Sequence, residues 1–253
     1  IDEEIFVRFP PGCGDLSGKT VRLHRALYGC KQSSRPWNMH LTTTLKSFGF
    51  EQSEADPCLF RYIDEEEVPL LVTHVDDMTA AGSVGDCDAL CEALSTEFPT
   101  NNLGPLSWYT GCAFERDWEK GTLTITPTAY IDQLCERFDV SSPSPLPATA
   151  HEQTLPRQEN DEPGPERFRE LIGALLWVVC MSRPDISNPV RAMARYSQDP
   201  SKTHWHQGIK ILRYLLGTRT WGISYKRGLG LELFACADSS YAGDTNDRRS
   251  VSG

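Results

Sequence analysis

The chain has 253 residues, 39% of them hydrophobic and 24% charged, and a formal net charge of −10. That length suits one large domain or two small ones with a real core. The composition is that of an ordinary soluble protein, and no apolar run approaches the roughly 18 residues of a membrane span. The charge is uneven: residues 16–50 hold six basic residues and no acid, and residues 171–230 hold nine basic residues against two acids. Residues 51–140 hold 19 acids against four bases. Polyanions bind local basic surfaces, so the negative total does not exclude a nucleic-acid ligand. On charge alone, solvated helix faces explain the basic residues better.

In chain order, residues 33–48 read as a helix. Ser33 or Ser34 can cap it, Pro36 suits its first turn, and Gly49 ends it. Trp37, Leu41, Thr44, Leu45 and Phe48 share one stripe. Residues 58–63 and 68–75 read as strands around the acidic loop 64–67, and residues 78–81 as a short return strand. Val84, Cys87, Leu90, Cys91, Leu94 and Phe98 mark a second amphipathic helix. Residues 107–114 and 122–126 read as strands joined through Lys120-Gly121. A third helix follows Thr126-Pro127, with Tyr130, Ile131, Leu134, Cys135 and Phe138 on one face.

Six prolines in residues 141–165 indicate a linker or an extended surface strap. Residues 168–181, 186–197 and 203–217 read as helices. In the last, Trp205, Ile209, Leu212 and Leu216 are expected to face the core, with Lys202, His206, Lys210 and Arg213 opposite. Residues 231–237 read as a strand ending at Asp238. The fold class is α+β. Nine cysteines without a C-x-x-C pair argue against a zinc ribbon or redox pair. They read as the reduced thiols of an intracellular protein, mostly filling the core. The start Ile1-Asp2-Glu3-Glu4 has no signal-peptide features, and both ends read as cut from a longer chain.

The sharpest feature is His74-Val75-Asp76-Asp77, where an apolar strand delivers two adjacent carboxylates. Two close carboxylates repel unless a cation joins them, and Mg²⁺ takes oxygen ligands of this kind. A polar hairpin turn is the plain alternative for an Asp pair. His204-Trp205-His206 is a poor metal pair, because helix positions i and i+2 diverge. An unrelated metal phosphodiesterase would need further His or acidic ligands at regular spacing, and none stands out.

The wider pattern decides between these. Arg25-Ala26-Leu27-Tyr28-Gly29-Cys30-Lys31-Gln32-Ser33-Ser34-Arg35-Pro36-Trp37 resembles the ALYGLKQ-x-x-R-x-W segment of reverse transcriptases from copia-type (Pseudoviridae-like) LTR retrotransposons. Ser53 to Phe60 resembles their S-x-x-D-x-x-L/F segment, and His74-Val75-Asp76-Asp77 stands where they have Tyr-Val-Asp-Asp. Leu103 to Gly111 is similar to their LG-x-L-x-x-x-LG segment. Ser182-Arg183-Pro184-Asp185-Ile186 and Leu212 to Thr218 match their downstream helices, and Ala237 to Gly253 resembles the opening of their ribonuclease H domain.

This resemblance implies a right-hand polymerase: fingers, palm and thumb over residues 1–140, a Pro-rich linker over 141–170, a helical connection over 171–230 and the first ribonuclease H strand in 231–253. It implies RNA-directed DNA polymerase activity with an RNA template, a DNA primer, deoxynucleotides and Mg²⁺, or Mn²⁺ in its place. Asp76 and Asp77 would bind the catalytic metals, and Asp238 would be the first metal ligand of ribonuclease H. Lys31 and Gln32 would lie near nucleotide and template, and His74, Trp108 and Gly111 near the primer end. Lys202, Lys210 and Arg213 would track the duplex. The resemblance further implies neighbouring Pol domains (integrase, protease and the rest of ribonuclease H), no membrane, and an intracellular life in cytoplasmic virus-like particles and the nucleus. The family's first palm aspartate is expected upstream of Glu3-Glu4-Ile5-Phe6, so the chain alone is expected to be inactive. The alternative is a catalytically dead or host-retained fragment that acts at most as a nucleic-acid-binding module.

Overall fold

The computed structural model describes residues 4–27, 29–31, 33–62, 70–148, 155–228, 230, 234–237, 239–241 and 250–252. The chain packs as two compact units, Ile1–Gly104 and Pro105–Gly253. The sequence shows no boundary at Gly104, and the division falls inside the expected segment 1–140. Among the described residues no helix is long and apolar enough to cross a membrane.

In the first unit, β1 (Phe6–Arg8) and β2 (Thr20–Arg22) form an antiparallel ribbon. Helix α1 (Ser34–Ser47) holds Pro36 in its first turn, where a missing N–H leaves no helical bond unmade. The Ser33 hydroxyl does not cap it; it donates instead to Leu27 O at 2.6 Å. Gly49 stops the helix at φ +91°, and a Cβ there would sit 2.9 Å from the Tyr62 ring.

Strands β3 (Phe50–Gln52), β4 (Leu59–Tyr62), β5 (Leu70–His74) and β6 (Asp77–Ala81) form an antiparallel sheet in chain order. Part of the expected strand 68–75 and the acidic loop 64–67 lie outside the described residues. β5 alternates, with Leu71 and Thr73 inward and Leu70, Val72 and His74 outward. Helix α2 (Val84–Glu97) is capped by Ser83, whose hydroxyl accepts from the Asp86 N–H at 3.2 Å. Leu41 and Leu45 of α1 and Leu90 and Leu94 of α2 close one core with Phe50, Phe60, Leu71 and Phe98. Val84, expected on this stripe, is 79% exposed, so the buried face of α2 begins further along the helix.

In the second unit, β7 (Trp108–Tyr109), β8 (Cys112–Asp117) and β9 (Thr122–Thr126) form a meander. The expected strand 107–114 is two strands. Thr110 (φ 46°) and Gly111 (φ 85°) reverse the chain between them, as a two-residue hairpin turn with both central φ values positive does. The helices are α3 (Thr128–Arg137), α4 (Phe168–Met181), α5 (Ser187–Ala194) and α6 (Lys202–Gly217). Leu171, Leu175 and Val178 of α4 pack with Ile131 and Leu134 of α3 and with Ile211, Leu212 and Leu215 of α6. The face of α6 differs from expectation: His204, Gly208, Ile211, Leu212 and Leu215 are buried, while Trp205, Ile209 and Leu216 flank them. The stripe is rotated because Gly208 lets α6 approach α4 closely; a Cβ there would lie 2.9 Å from Leu171.

The segment 141–165 has the strap form wherever it is described. Ser144 N–H donates to Arg213 O, Gly164 N–H to Pro200 O and Lys202 N–H to Glu162 O. Strand β10 (Ile223–Lys226), which is not among the elements expected from the sequence, pairs with β9 at the edge of the sheet. The expected strand 231–237 does not appear in its described part, since residues 234–237 form none. Pairing begins two residues later, where β11 (Ser239–Ser240) meets β12 (Val251–Ser252). The cysteines also differ from expectation: only Cys112 and Cys135 are buried, and Cys13, Cys180 and Cys236 are exposed.

Candidate functional site

The β5–β6 hairpin closes in two residues. His74 pairs with Asp77 across the ladder, which leaves Val75 and Asp76 as the loop. Asp76 therefore sits at the tip and Asp77 opens β6, both exposed. Val75 has φ 59°, a left-handed conformation that a β-branched side chain rarely enters. Such a residue stores about 1–3 kcal/mol of strain and persists only when its surroundings hold it.

The surroundings are α1 and the end of α2. The Trp37 indole N–H, from the first turns of α1, donates to Val75 O at 2.6 Å. The same indole meets the Phe98 ring edge-on, with centroids 5.2 Å apart and planes at 67°. His40, one helical turn on, also meets Phe98 edge-on at 5.1 Å. The turn is thus fastened to the unit's helical layer through one side chain. Sequence reading places Trp37 on the core stripe and gives it no role at the site. The signal for one was its place inside the R-x-W segment.

Two carboxylates on adjacent residues at an exposed tip are an all-oxygen donor set. That set fits Mg²⁺, which keeps few carboxylates and fills its octahedron with water and substrate phosphates. Among the described residues, no three His, Cys, Asp or Glu side chains gather as a fuller metal site.

The other expected site residues are dispersed. Lys31 is exposed just before α1, while Gln32 and Asp238 lie outside the described residues. These residues and the hairpin belong to the first unit, apart from Asp238; Trp108, Gly111 and the α6 cations belong to the second. Trp108 is half exposed on β7, at 52%. Gly111 is needed twice over: its φ is positive, and a Cβ would lie 3.1 Å from the Trp177 ring of α4. On α6, Lys202 pairs with Glu162 at 2.7 Å, and Lys210 is half-buried. Arg213 Nε donates to Ser142 O at 3.0 Å, so its guanidinium holds the strap. His204 is no metal ligand: Nδ1 accepts from Ser201 N–H at 2.9 Å and Nε2 donates to Leu155 O at 2.9 Å.

Comparison with known proteins gives a consistent result. The sequence model of a family described as reverse transcriptase (RNA-dependent DNA polymerase) matches residues 1–149. Over 261 aligned residues the chain is 31% identical to the retrovirus-related Pol polyprotein from transposon RE2 of Arabidopsis thaliana, covering 100% of this chain and 18% of that protein. It is 29% identical over 266 residues to the corresponding polyprotein from transposon TNT 1-94 of Nicotiana tabacum, covering 100% of this chain and 20% of the relative. It is 27% identical over 250 residues to a putative transposon Ty5-1 protein of Saccharomyces cerevisiae, covering 95% and 80%. The chain thus spans about a fifth of the plant polyproteins it matches. No solved structure matches.

Proposed function

The chain belongs to the reverse transcriptase (RNA-dependent DNA polymerase) family, and from that premise we propose that its β5–β6 hairpin is the metal-binding tip of a copia-type polymerase palm. The observation that carries the reading is the Asp76-Asp77 pair, presented at a two-residue turn and clamped from α1 by Trp37. The reaction is template-directed addition of deoxynucleotides to a DNA primer 3′-end on RNA. In that site Asp76 and Asp77 would hold Mg²⁺, or Mn²⁺, which supplies positive charge to the attacking hydroxyl and the triphosphate.

The chain's own residues do the positioning. The short hairpin places both carboxylates at one exposed tip, where a primer end can reach them. His74, opposite Asp77 in the ladder, offers a planar ring beside that tip. Lys31, with Gln32, would face nucleotide phosphates as a compact positive charge. In the second unit, Trp108 and Gly111 would approach the primer terminus, and the α6 face with Lys202, Lys210 and Arg213 would follow the duplex phosphates. Residues 1–140 would be fingers, palm and thumb, 171–230 the connection, and 231–253 the opening of ribonuclease H with Asp238 as its first ligand. Integrase, protease and the remaining ribonuclease H would be partner domains. Cytoplasmic virus-like particles and the nucleus would be the working compartments.

Primer extension on an RNA template tests this, with the chain expressed in the open reading frame that encodes it. Asp76→Asn is expected to abolish extension; undiminished extension would overturn the site. The chain alone is expected to bind template–primer with an affinity that falls steeply with salt. Salt-insensitive binding would count against the basic faces.

A further inference from the structure

We propose that Trp37 is the positioning residue of the Asp76-Asp77 pair, acting through the Val75 carbonyl. The inference rests on reading the turn as a metal site, and adds to it the part that sets the geometry. Val75 C=O and Asp76 N–H belong to one planar peptide unit. Anchoring the oxygen therefore orients the plane from which the Asp76 side chain departs. Val75 lies in the loop between the last ladder pair, His74 and Asp77, so pairing within that hairpin does not orient its carbonyl. The indole N–H at 2.6 Å does so.

The backbone needs such an anchor. A valine at φ 59° is held against its own preference, and the peptide that follows it would otherwise relax. The indole can serve as an anchor because it is itself fixed: it sits in α1, and Phe98 at the end of α2 packs edge-on against its ring. An indole N–H is also a donor only, with no charge and no acceptor. It orients the turn without competing with a cation for the carboxylates, as a lysine would, and without offering the cation a rival ligand, as a histidine would.

The test is Mn²⁺ affinity of the full chain, read by electron paramagnetic resonance of the unbound ion. Trp37→Phe keeps an aromatic ring against Phe98 and removes the donor. It is expected to weaken Mn²⁺ binding about fivefold, the scale of one lost net hydrogen bond. Asp76→Asn with Asp77→Asn is expected to remove that binding. Leu41→Ala, buried in the same helix, is expected to lower stability and leave the folded chain's affinity unchanged. If the Asp variant weakens binding and Trp37→Phe does not, the positioning role is overturned while the metal site stands. An equal loss in Leu41→Ala overturns it too, since Trp37 would then be merely structural. If the Asp variant binds Mn²⁺ like the parent, the metal reading fails and the positioning role falls with it. Should Trp37→Phe not fold, the parent's ¹H–¹⁵N spectrum decides. The Trp37 indole signal, identified by its cross-peaks to the Phe98 ring, is expected to move on Mg²⁺ addition, and an unmoved signal overturns the proposal.

Discussion

The Arg183 guanidinium meets the Asp185 carboxylate through two parallel hydrogen bonds, Nε to Oδ1 at 2.9 Å and Nη2 to Oδ2 at 2.8 Å. Arg183 is 1% exposed, and two further N–H groups, one on Nη1 and one on Nη2, reach Thr218 O and Oγ1 at 2.9 and 2.7 Å. Tyr214 lends its ring to the guanidinium and its O–H to Asp185 at 3.0 Å. Two family segments far apart in sequence, Ser182 to Ile186 and Leu212 to Thr218, are therefore one lock at the end of α6.

Breaking this lock is expected to be costly. Arg183→Lys cannot reproduce the fork, and Asp185→Asn leaves a buried cation without its countercharge. A loss of about 2–3 kcal/mol in urea unfolding is expected, less than for a wholly buried pair because the carboxylate keeps partial exposure. Burial works against the Asp185 carboxylate, but Arg183 and the Tyr214 hydroxyl outweigh it, so its pKa lies below the ordinary 3.8. Its contribution is present above that ordinary value and is lost as pH falls through the lowered one. Acid unfolding of Asp185→Asn should lack this component.

His204 predicts a second pH effect. Burial disfavours its imidazolium more than Leu155 O, Asp161 and Asp199 favour it, so its pKa lies below the ordinary 6.5. As pH drops through 6.5 the unfolded chain takes up a proton that the folded chain refuses, and stability falls until the folded value is passed. His204→Gln retains a side chain that can complete the capping box with Ser201 and cannot titrate. Denaturation between pH 7 and 5 should therefore show a decline in the parent and a flatter profile in the variant.

The strain at Val75 is open to direct measurement. Its side chain is 58% exposed, so little packing is lost on replacing it. Asparagine tolerates positive φ without the unfolded-state entropy of glycine. Val75→Asn is expected to raise unfolding stability by about 1 kcal/mol. An unchanged or lowered value would mean the turn is not held against valine's preference.

Gly222 marks where β10 joins the sheet. A Cβ there would lie 1.9 Å from Ile125 O, a backbone atom with no rotamer to yield. Gly222→Ala should force β10 off β9 and cost about 3 kcal/mol, the upper end for overpacking. Amide exchange should then rise at Ser224 and Tyr225 before it rises in α4.

Much of the chain could be read from period and punctuation. α1 stops where Gly49 stands, and α4 ends before Arg183-Pro184, because glycine at positive φ and proline act locally. The Asp76-Asp77 hairpin was legible as an apolar strand running into polar residues, but its turn lies one residue earlier than the sequence suggests, at Val75-Asp76, with Asp77 already in β6. The helical face of α6 was less legible. Its burial pattern depends on a close approach to Leu171 through Gly208, which α6's own period does not contain. The hairpin at Thr110-Gly111 lay hidden inside an apparently continuous run.

By itself, the sequence determined the family and the α+β class, and it marked two adjacent carboxylates at the end of an apolar strand, because motifs, periods and caps are properties of neighbours along the chain. Only tertiary structure decided what those residues touch. Trp37 and Val75 lie 38 positions apart, and Arg183 and Thr218 lie 35 apart. No periodic signal spans such distances. A hydrogen bond of 2.6 Å between a helix and a turn exists only once the two have been packed on one sheet.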